Sequence, residues 1–328
     1  MTINQLKAGI IGTGFIGPVH LEALRRLGVR VAALCDVPER VRAAADRFDI
    51  PDAFGDYREL LQSPNVDVVH ITAPNRFHCE MSLAALRAGK HVVCEKPLAR
   101  NAAQAGEILK AARSAPGFFM PAMCIRFWPE WVWLKRAVEQ NTYGKVLTAR
   151  FRRVSEPPGW SRDSYFKGDL SGGALLDLHI HDTDFVQHVF GRPQSVYTTG
   201  VTVFSGAVDA AVTQYKVACG ASVYAEGNWI MKQGHGFNMA YTVNFEKATV
   251  DYDLSRGAEA LKVCEEGRGA SVVKCEGPDG YVGELRHMVE SILANKPPTV
   301  VTAEDGFSAV EICESEEKSV KTGQIVVL

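Results

Sequence analysis

The sequence predicts an α/β protein of two domains. A doubly wound parallel sheet is expected over residues 1–125, and an α/β domain with a large, mostly antiparallel open sheet over residues 126–328. Three observations carry this expectation. Short continuous apolar runs alternate with helical patterns through the first third, which is how a parallel sheet buried on both faces reads. A glycine-rich turn, Gly12-Thr13-Gly14-Phe15-Ile16-Gly17, joins the first such run to the first helical pattern. From Ser195 to Leu254 apolar residues recur at every second position, with turns at Ser205-Gly206, Cys219-Gly220 and Gln233-Gly234, the pattern of an antiparallel sheet.

In order along the chain, the candidate strands of the first domain are Ala8–Ile11, Arg30–Cys35, Val66–Thr72, His91–Cys94 and Phe118–Cys124. Helical patterns at Val19–Leu27, Arg40–Phe48 and Glu80–Ala88 lie between them, the last closed by Gly89 as a C-terminal cap. After Arg126 the texture changes. A helix over Pro129–Gln140 leads to a strand over Lys145–Val154, and a Pro-, Gly- and Ser-rich loop, Ser155–Gly173, leads to a helix from Ala174 to Phe190. Helices at Tyr281–Ala294 and Ala303–Lys321 and a short strand, Gln324–Leu328, close the chain.

Composition narrows the class. The 328 residues exceed what one core usually organises, and 46% hydrophobic with 23% charged residues is the balance of a globular protein. A net charge of −2 gives no reason to expect nucleic acid or an anionic membrane as partner. No apolar run approaches the roughly 20 residues that span a bilayer, and the first residues lack the features of a secretory signal. The eight cysteines show no C-x-x-C spacing and read as buried reduced thiols of a cytoplasmic protein, with no disulfide framework and no metal site.

A G-x-G-x-x-G turn is a weak signal until its context is tested. Here it follows a strand, opens a helix, and has an acid, Asp36, at the end of the next strand. Each glycine has a job: Gly12 for the tight turn, Gly14 for close approach of backbone to a pyrophosphate, Gly17 for helix–strand packing. The helix N-terminus offers unpaired N–H groups to phosphate, and Pro18 sits where its missing N–H matters little. The first domain is therefore expected to be a Rossmann domain. A carboxylate at Asp36 binds ribose hydroxyls and repels a 2′-phosphate, favouring NAD, while Arg40 leaves NADP possible.

With these residues in view the chain resembles the Gfo/Idh/MocA family of oxidoreductases. The resemblance rests on A-G-I-I-G-T-G-F-I-G-P-V-H, I-T-A-P-N-R-F-H, G-K-H-V-V-C-E-K-P-L-A, the I-R-F-W-P segment and G-G-A-L-L-D-L-H-I-H-D-T-D-F. It extends to the closing Lys321-Thr322-Gly323-Gln324 and covers essentially the whole chain. It implies that the turn residues Thr13, Phe15 and Ile16 join the three glycines, Asp36 and Arg40 in holding the cofactor. It also implies that Thr72, Asn75 and His78 approach the nicotinamide side, although as loop residues before a helix they serve equally as caps. Glu95, Lys96 and Arg126 are expected beside the cofactor, with Lys96 and Arg126 also facing substrate. Packing against Glu95 or Asp177 is the structural alternative for Arg126. The family match further implies a homodimer or homotetramer joined through the face of the second sheet.

The catalytic expectation centres on Asp177 and His181, four residues apart on a predicted helix that repeats polar groups at Asp184 and His188. Seen alone, that stripe is equally a solvated face. By resemblance Asp177 and His181 fall on the family's catalytic pair. An imidazole with a reference pKa near 6.5 is suited to take a hydroxyl proton near neutrality, with the carboxylate orienting it. Lys96, at the carboxyl end of a parallel strand, is placed to stabilise developing alkoxide charge. The aromatic residues Trp128, Trp131, Trp133, Trp160, Tyr165 and Phe166 suit sugar-ring faces but read first as core, and only Trp160 is expected to touch substrate. His179 departs from the family pattern, which often has glycine there, and is a candidate to narrow substrate choice.

The expected function is hydride transfer between a nicotinamide cofactor and a secondary alcohol of a sugar, inositol or related polyol. Three alternatives stay open: an NAD-dependent glycosidase with transient hydride transfer, a reductase running from ketone to alcohol with NADPH, and a non-enzymatic dinucleotide or sugar sensor. Intact Lys96, Asp177 and His181 argue against the sensor, because binding alone requires none of them.

Overall fold

The computed structural model describes residues 2–159 and 162–328. They form two compact units, Met1–Phe127 with Pro278–Phe307, and Trp128–Gly277 with Ser308–Leu328. The chain therefore does not divide once near residue 125. It leaves the first unit at Phe127, returns to it at Pro278, and leaves again after Phe307.

The first unit is built on six parallel strands: β1 (Lys7–Ile11), β2 (Arg30–Cys35), β3 (Asp52–Phe54), β4 (Val68–Ile71), β5 (His91–Glu95) and β6 (Phe119–Ala122). Their order is β3-β2-β1-β4-β5-β6. The sheet reverses direction of growth between β1 and β4, and in such sheets ligands bind outside the carboxyl ends at that point. Val68, Val69, Val92 and Val93 are fully buried, as strands covered on both faces require. Edge strand β3 was not anticipated: three half-exposed or exposed residues carry no periodicity to read.

The returning segment supplies the helix Gly280–Ala294, whose N-cap Asp279 accepts from the Val282 N–H at 3.0 Å. It packs on the helix Gly17–Arg26 and on the turn Cys124–Phe127. Close approach there depends on Gly283, where a Cβ would lie 2.9 Å from the Phe127 Cβ.

The second unit carries a nine-stranded sheet. In chain order its strands are β7 (Val146–Val154), β8 (Ser195–Val201), β9 (Ala210–Lys216), β10 (Ser222–Asn228), β11 (Asn238–Phe245), β12 (Ala248–Asp253), β13 (Leu261–Glu265), β14 (Gly269–Val272) and β15 (Val326–Val327). The spatial order is β14-β13-β12-β11-β7-β10-β9-β8-β15, antiparallel throughout except for the parallel pair β10–β7. The helix Pro129–Glu139 brings Trp131, fully buried, against Phe185, Tyr241 and Phe151 at centroid distances of 4.7, 5.1 and 5.9 Å. Trp131 is core, as its aromatic setting requires. The expected loop 155–173 contains two short helical turns, Arg162–Tyr165 and Gly168–Ser171.

The cysteine expectation needs one correction. All eight are free thiols, but Cys219 and Cys264 are exposed and Cys275 is half-buried: Cys264 takes an outward position on β13, while Cys219 lies in a turn and Cys275 in a loop. Among the described residues no helix is long and apolar enough to cross a membrane.

Candidate active site

The glycine turn shows which glycines the fold itself demands. Gly12 has φ +102°, and a Cβ there would sit 2.5 Å from the Ala73 nitrogen. A Cβ on Gly17 would lie 2.2 Å from the Gly12 carbonyl oxygen. Gly14 is different: a Cβ there would meet nothing within 4 Å. The fold does not need glycine at that position, and the open space beside it leaves room for a ligand to lie against the main chain of the turn. Together with the helix Gly17–Arg26, whose N-terminal dipole end lies at the turn, this fits a dinucleotide pyrophosphate.

Neighbouring side chains hold the turn. The Thr72 hydroxyl lies 2.6 Å from the Gly12 carbonyl oxygen and 3.1 Å from that of Ile11. Asp36, half-buried at the end of β2, accepts from the Thr13 N–H and hydroxyl, both at 2.7 Å, and from the Val37 N–H at 2.7 Å. Phe15 is 68% exposed, and Arg40 is exposed on the helix Pro38–Phe48.

At the carboxyl end of β5, Lys96 is half-buried and joined to Pro97 by a cis peptide bond. The Glu95 carboxylate turns inward, accepting from His20 at 2.9 Å and from the Lys96 N–H at 3.1 Å. Burial alone would raise its pKa. The hydrogen bond and charge of His20 and the charge of Lys96 outweigh that and hold it below the usual carboxylate range.

His78 is 1% exposed, with Nδ1 2.8 Å from the Pro97 carbonyl and Nε2 2.8 Å from the Ala73 carbonyl. Burial opposes its charge, but Cys94 and the two carbonyls push its pKa up to about 9. An imidazole between two carbonyls carries both protons and clamps two loops. Asn75, 8% exposed, opens the turn Asn75–Phe77. Arg126 is 4% exposed, donating to the Val300 carbonyl at 2.8 Å and pairing with Asp305 at 3.2 Å. These bonds fasten the returning segment to the first unit.

In the second unit, Gly172 and Gly173 have φ +80° and +71°, and a Cβ on Gly173 would lie 2.5 Å from the Val208 carbonyl oxygen. This left-handed entry opens a helix that is not uniform. Leu175–His179 forms a π turn, and only from Ile180 does the α-helix run, to Phe190. Single π turns are rare and recur at functional sites. Asp177 lies in the wide turn and His181 just beyond it, both half-buried.

Asp184 is 1% exposed and accepts from Gln187 at 3.1 Å, so the expected four-member stripe does not face solvent as a unit. His179 points away from solvent altogether. It is fully buried, with Nε2 3.2 Å from the Thr213 hydroxyl, 3.1 Å from Tyr215 and 3.6 Å from Glu316. A Cβ on Gly227 would lie 2.5 Å from its own Cβ, so the imidazole occupies room that a glycine on β10 leaves. It therefore anchors the helix to the sheet and does not shape substrate choice by contact. Trp160 lies outside the described residues.

Residues 6–122 match the oxidoreductase family described by its NAD-binding Rossmann fold, and residues 131–251 match the GFO/IDH/MocA C-terminal domain. The chain belongs to the Gfo/Idh/MocA oxidoreductase family. Within it, the chain is 29% identical to a myo-inositol 2-dehydrogenase of Thermotoga maritima, over 98% of both chains. It is 33% identical to a trans-1,2-dihydrobenzene-1,2-diol dehydrogenase of Danio rerio, over 67% of this chain and 69% of that one. A levoglucosan dehydrogenase solved with NADH and levoglucosan has the same fold, with a TM-score of 0.91, 22% identity, and 98% and 99% coverage.

This Gfo/Idh/MocA chain contains one cluster that the sequence reading missed. His20, Glu95 and Glu284, all buried, each place one ligand atom within 4.8 Å of the others. They lie far apart in the chain, which hides the cluster. The available signal was local: His20 sits on the buried stripe of Gly17, Leu21 and Leu24, and Glu284 lies four residues before buried Met288 on its own apolar stripe.

Proposed function

We propose that the protein is an NAD-dependent dehydrogenase acting on a secondary alcohol of a sugar, inositol or related polyol. The supporting observation is that Lys96, Asp177 and His181 are all present, half-buried at element ends, in a chain that aligns end to end with a myo-inositol 2-dehydrogenase. The turn Gly12–Gly17, Asp36 and the loops beginning at Thr72 and Asn75 would hold the dinucleotide. Bound nicotinamide supplies the hydride acceptor. His181 takes the hydroxyl proton, Asp177 orients the imidazole, and Lys96 offers an ammonium to the oxygen as its negative charge grows. The test is a cofactor-reduction screen over inositols, anhydrosugars, ketoses and sugar acids with NAD and NADP in parallel. Cleavage of a chromogenic glycoside without net NADH would instead mark a glycosidase.

Asp36 sets the expected cofactor preference. Its carboxylate already accepts from Thr13 and faces the turn, so a 2′-phosphate there would meet like charge. Asp36→Ser should weaken NAD binding and relieve the repulsion of NADP. A wild type that used NADP about tenfold better in kcat/KM, a gap of roughly 1.4 kcal/mol, would remove Asp36 from its role.

Oligomerisation through the second sheet is also proposed. On β8, β9 and β10 the inward residues are buried, while Tyr197, Val201, Val212 and Tyr224 are 40%, 52%, 45% and 37% exposed on the other face. Apolar patches of that kind are covered in most soluble proteins. Light scattering at micromolar concentration should report a dimer or tetramer; a 35.8 kDa particle would exclude this interface.

A further inference from the structure

We propose that His20 is a positioning residue for Lys96, acting through the Glu95 carboxylate that fixes the main chain where the lysine leaves β5. The inference rests on the reading of Lys96 as the group that meets the substrate oxygen.

Glu95 is 7% exposed, and a carboxylate so buried needs partners for both oxygens. Oε1 takes the His20 Nε2 proton at 2.9 Å, and Oε2 takes the Lys96 N–H at 3.1 Å. An ionised carboxylate only accepts, so the shared proton belongs to the imidazole. The His20 ring is held at its other nitrogen too: its Nδ1 lies 3.2 Å from the Nδ1 of His70 on β4, with the rings at 84°. One of those nitrogens donates to the other, which sets the ring's orientation. The carboxylate, gripped by His20, in turn grips the first main-chain N–H after β5.

Glu284 closes the cluster. It is fully buried, with Oε1 4.0 Å from the His20 Nε2, and neither oxygen has a hydrogen-bond partner. Burial, reinforced by the charges of Glu95 and Asp279, pushes its pKa well above the usual range. Two buried acids this close do not both ionise. Glu95 keeps the charge, and neutral Glu284 does not compete with it for the imidazole proton. His20 belongs to the helix Gly17–Arg26, the helix opened by the glycine turn. The element that receives the dinucleotide phosphates thus also holds the main chain of the lysine.

The test is a double-mutant cycle on the best substrate from the panel above, with NADH affinity measured separately by fluorescence titration. His20→Leu should lower kcat by roughly 10- to 10²-fold, the scale of a displaced reacting group. Its NADH dissociation constant should stay within about threefold of wild type. In a Lys96→Ala background, His20→Leu should cause no further loss, because its effect passes through the lysine. Multiplying losses, or a wild-type kcat for His20→Leu beside a slow Lys96→Ala, would overturn the positioning role and leave the reading of Lys96 intact. A wild-type kcat for Lys96→Ala would instead overturn that reading and this inference with it. Should His20→Leu not fold, Glu95→Gln enters the same cycle with the same expectations for kcat.

Discussion

Replacing His181 with alanine is expected to lower kcat by about 10² to 10⁴ while leaving NAD affinity nearly unchanged. In the proposed mechanism the imidazole takes a proton that moves during hydride loss, so its removal weakens the transition state and not the resting complex. Its position supports the assignment: it follows the π turn, half-buried, on a helix whose entry is fixed by Gly172 and Gly173 and whose far side is fastened through His179. Lys96→Ala should cost about 10² or more and raise KM as well, since in the proposed mechanism the ammonium meets the substrate before reaction. The two together should lose less than the product of the single effects, as groups acting as one unit do. Steady-state kinetics and an NADH titration decide the matter. Were His181→Ala to keep most of its turnover, the general-base role would be abandoned.

Replacing Asp182, the next residue, should act on stability instead. Its carboxylate is fully buried and meets the Arg153 guanidinium twice, at 2.9 and 3.3 Å, and that guanidinium lies 5.6 Å from the Trp131 ring centre. Asp182→Ala strands a buried cation that has nowhere to recruit water, and the expected loss is about 3–5 kcal/mol in a urea titration. Pairing Asp182→Leu with Arg153→Met should recover much of that loss, because the cost lies in the unpaired charge. A single-variant loss below about 1 kcal/mol would mean that the pair is more hydrated than its burial implies.

Much of this was legible in the residues. Gly12 and Gly17 are demanded by local sterics, so the turn could be read from spacing alone, and Arg30–Cys35 was placed to the residue because a continuous apolar strand has sharp ends. The return of residues 278–307 was not legible. The stripe Val282, Leu285, Met288, Val289 and Ile292 has the same period whichever sheet it covers. The π turn was hidden for a related reason: Asp177 and His181 share a face at four-residue spacing, and one widened turn leaves no mark on the pattern. The burial of His179 was not legible because its room comes from Gly227, 48 positions further on. The inward turn of Glu95 likewise depends on a partner 75 residues earlier. Side chains that answer to distant neighbours cannot be oriented from a single chain.

The route of the chain also bears on its biosynthesis. The helix Gly17–Arg26 and the turn Cys124–Phe127 receive their cover from Gly280–Ala294. About 150 residues separate the exit at Phe127 from the return at Pro278. At translation rates of about 5–20 residues per second, the nascent first unit waits roughly 8 to 30 s with that helix and that turn lacking part of their cover. A fragment ending at Phe127 would keep that vulnerability permanently, whereas one joining residues 2–127 to 278–307 through a short linker would lose it.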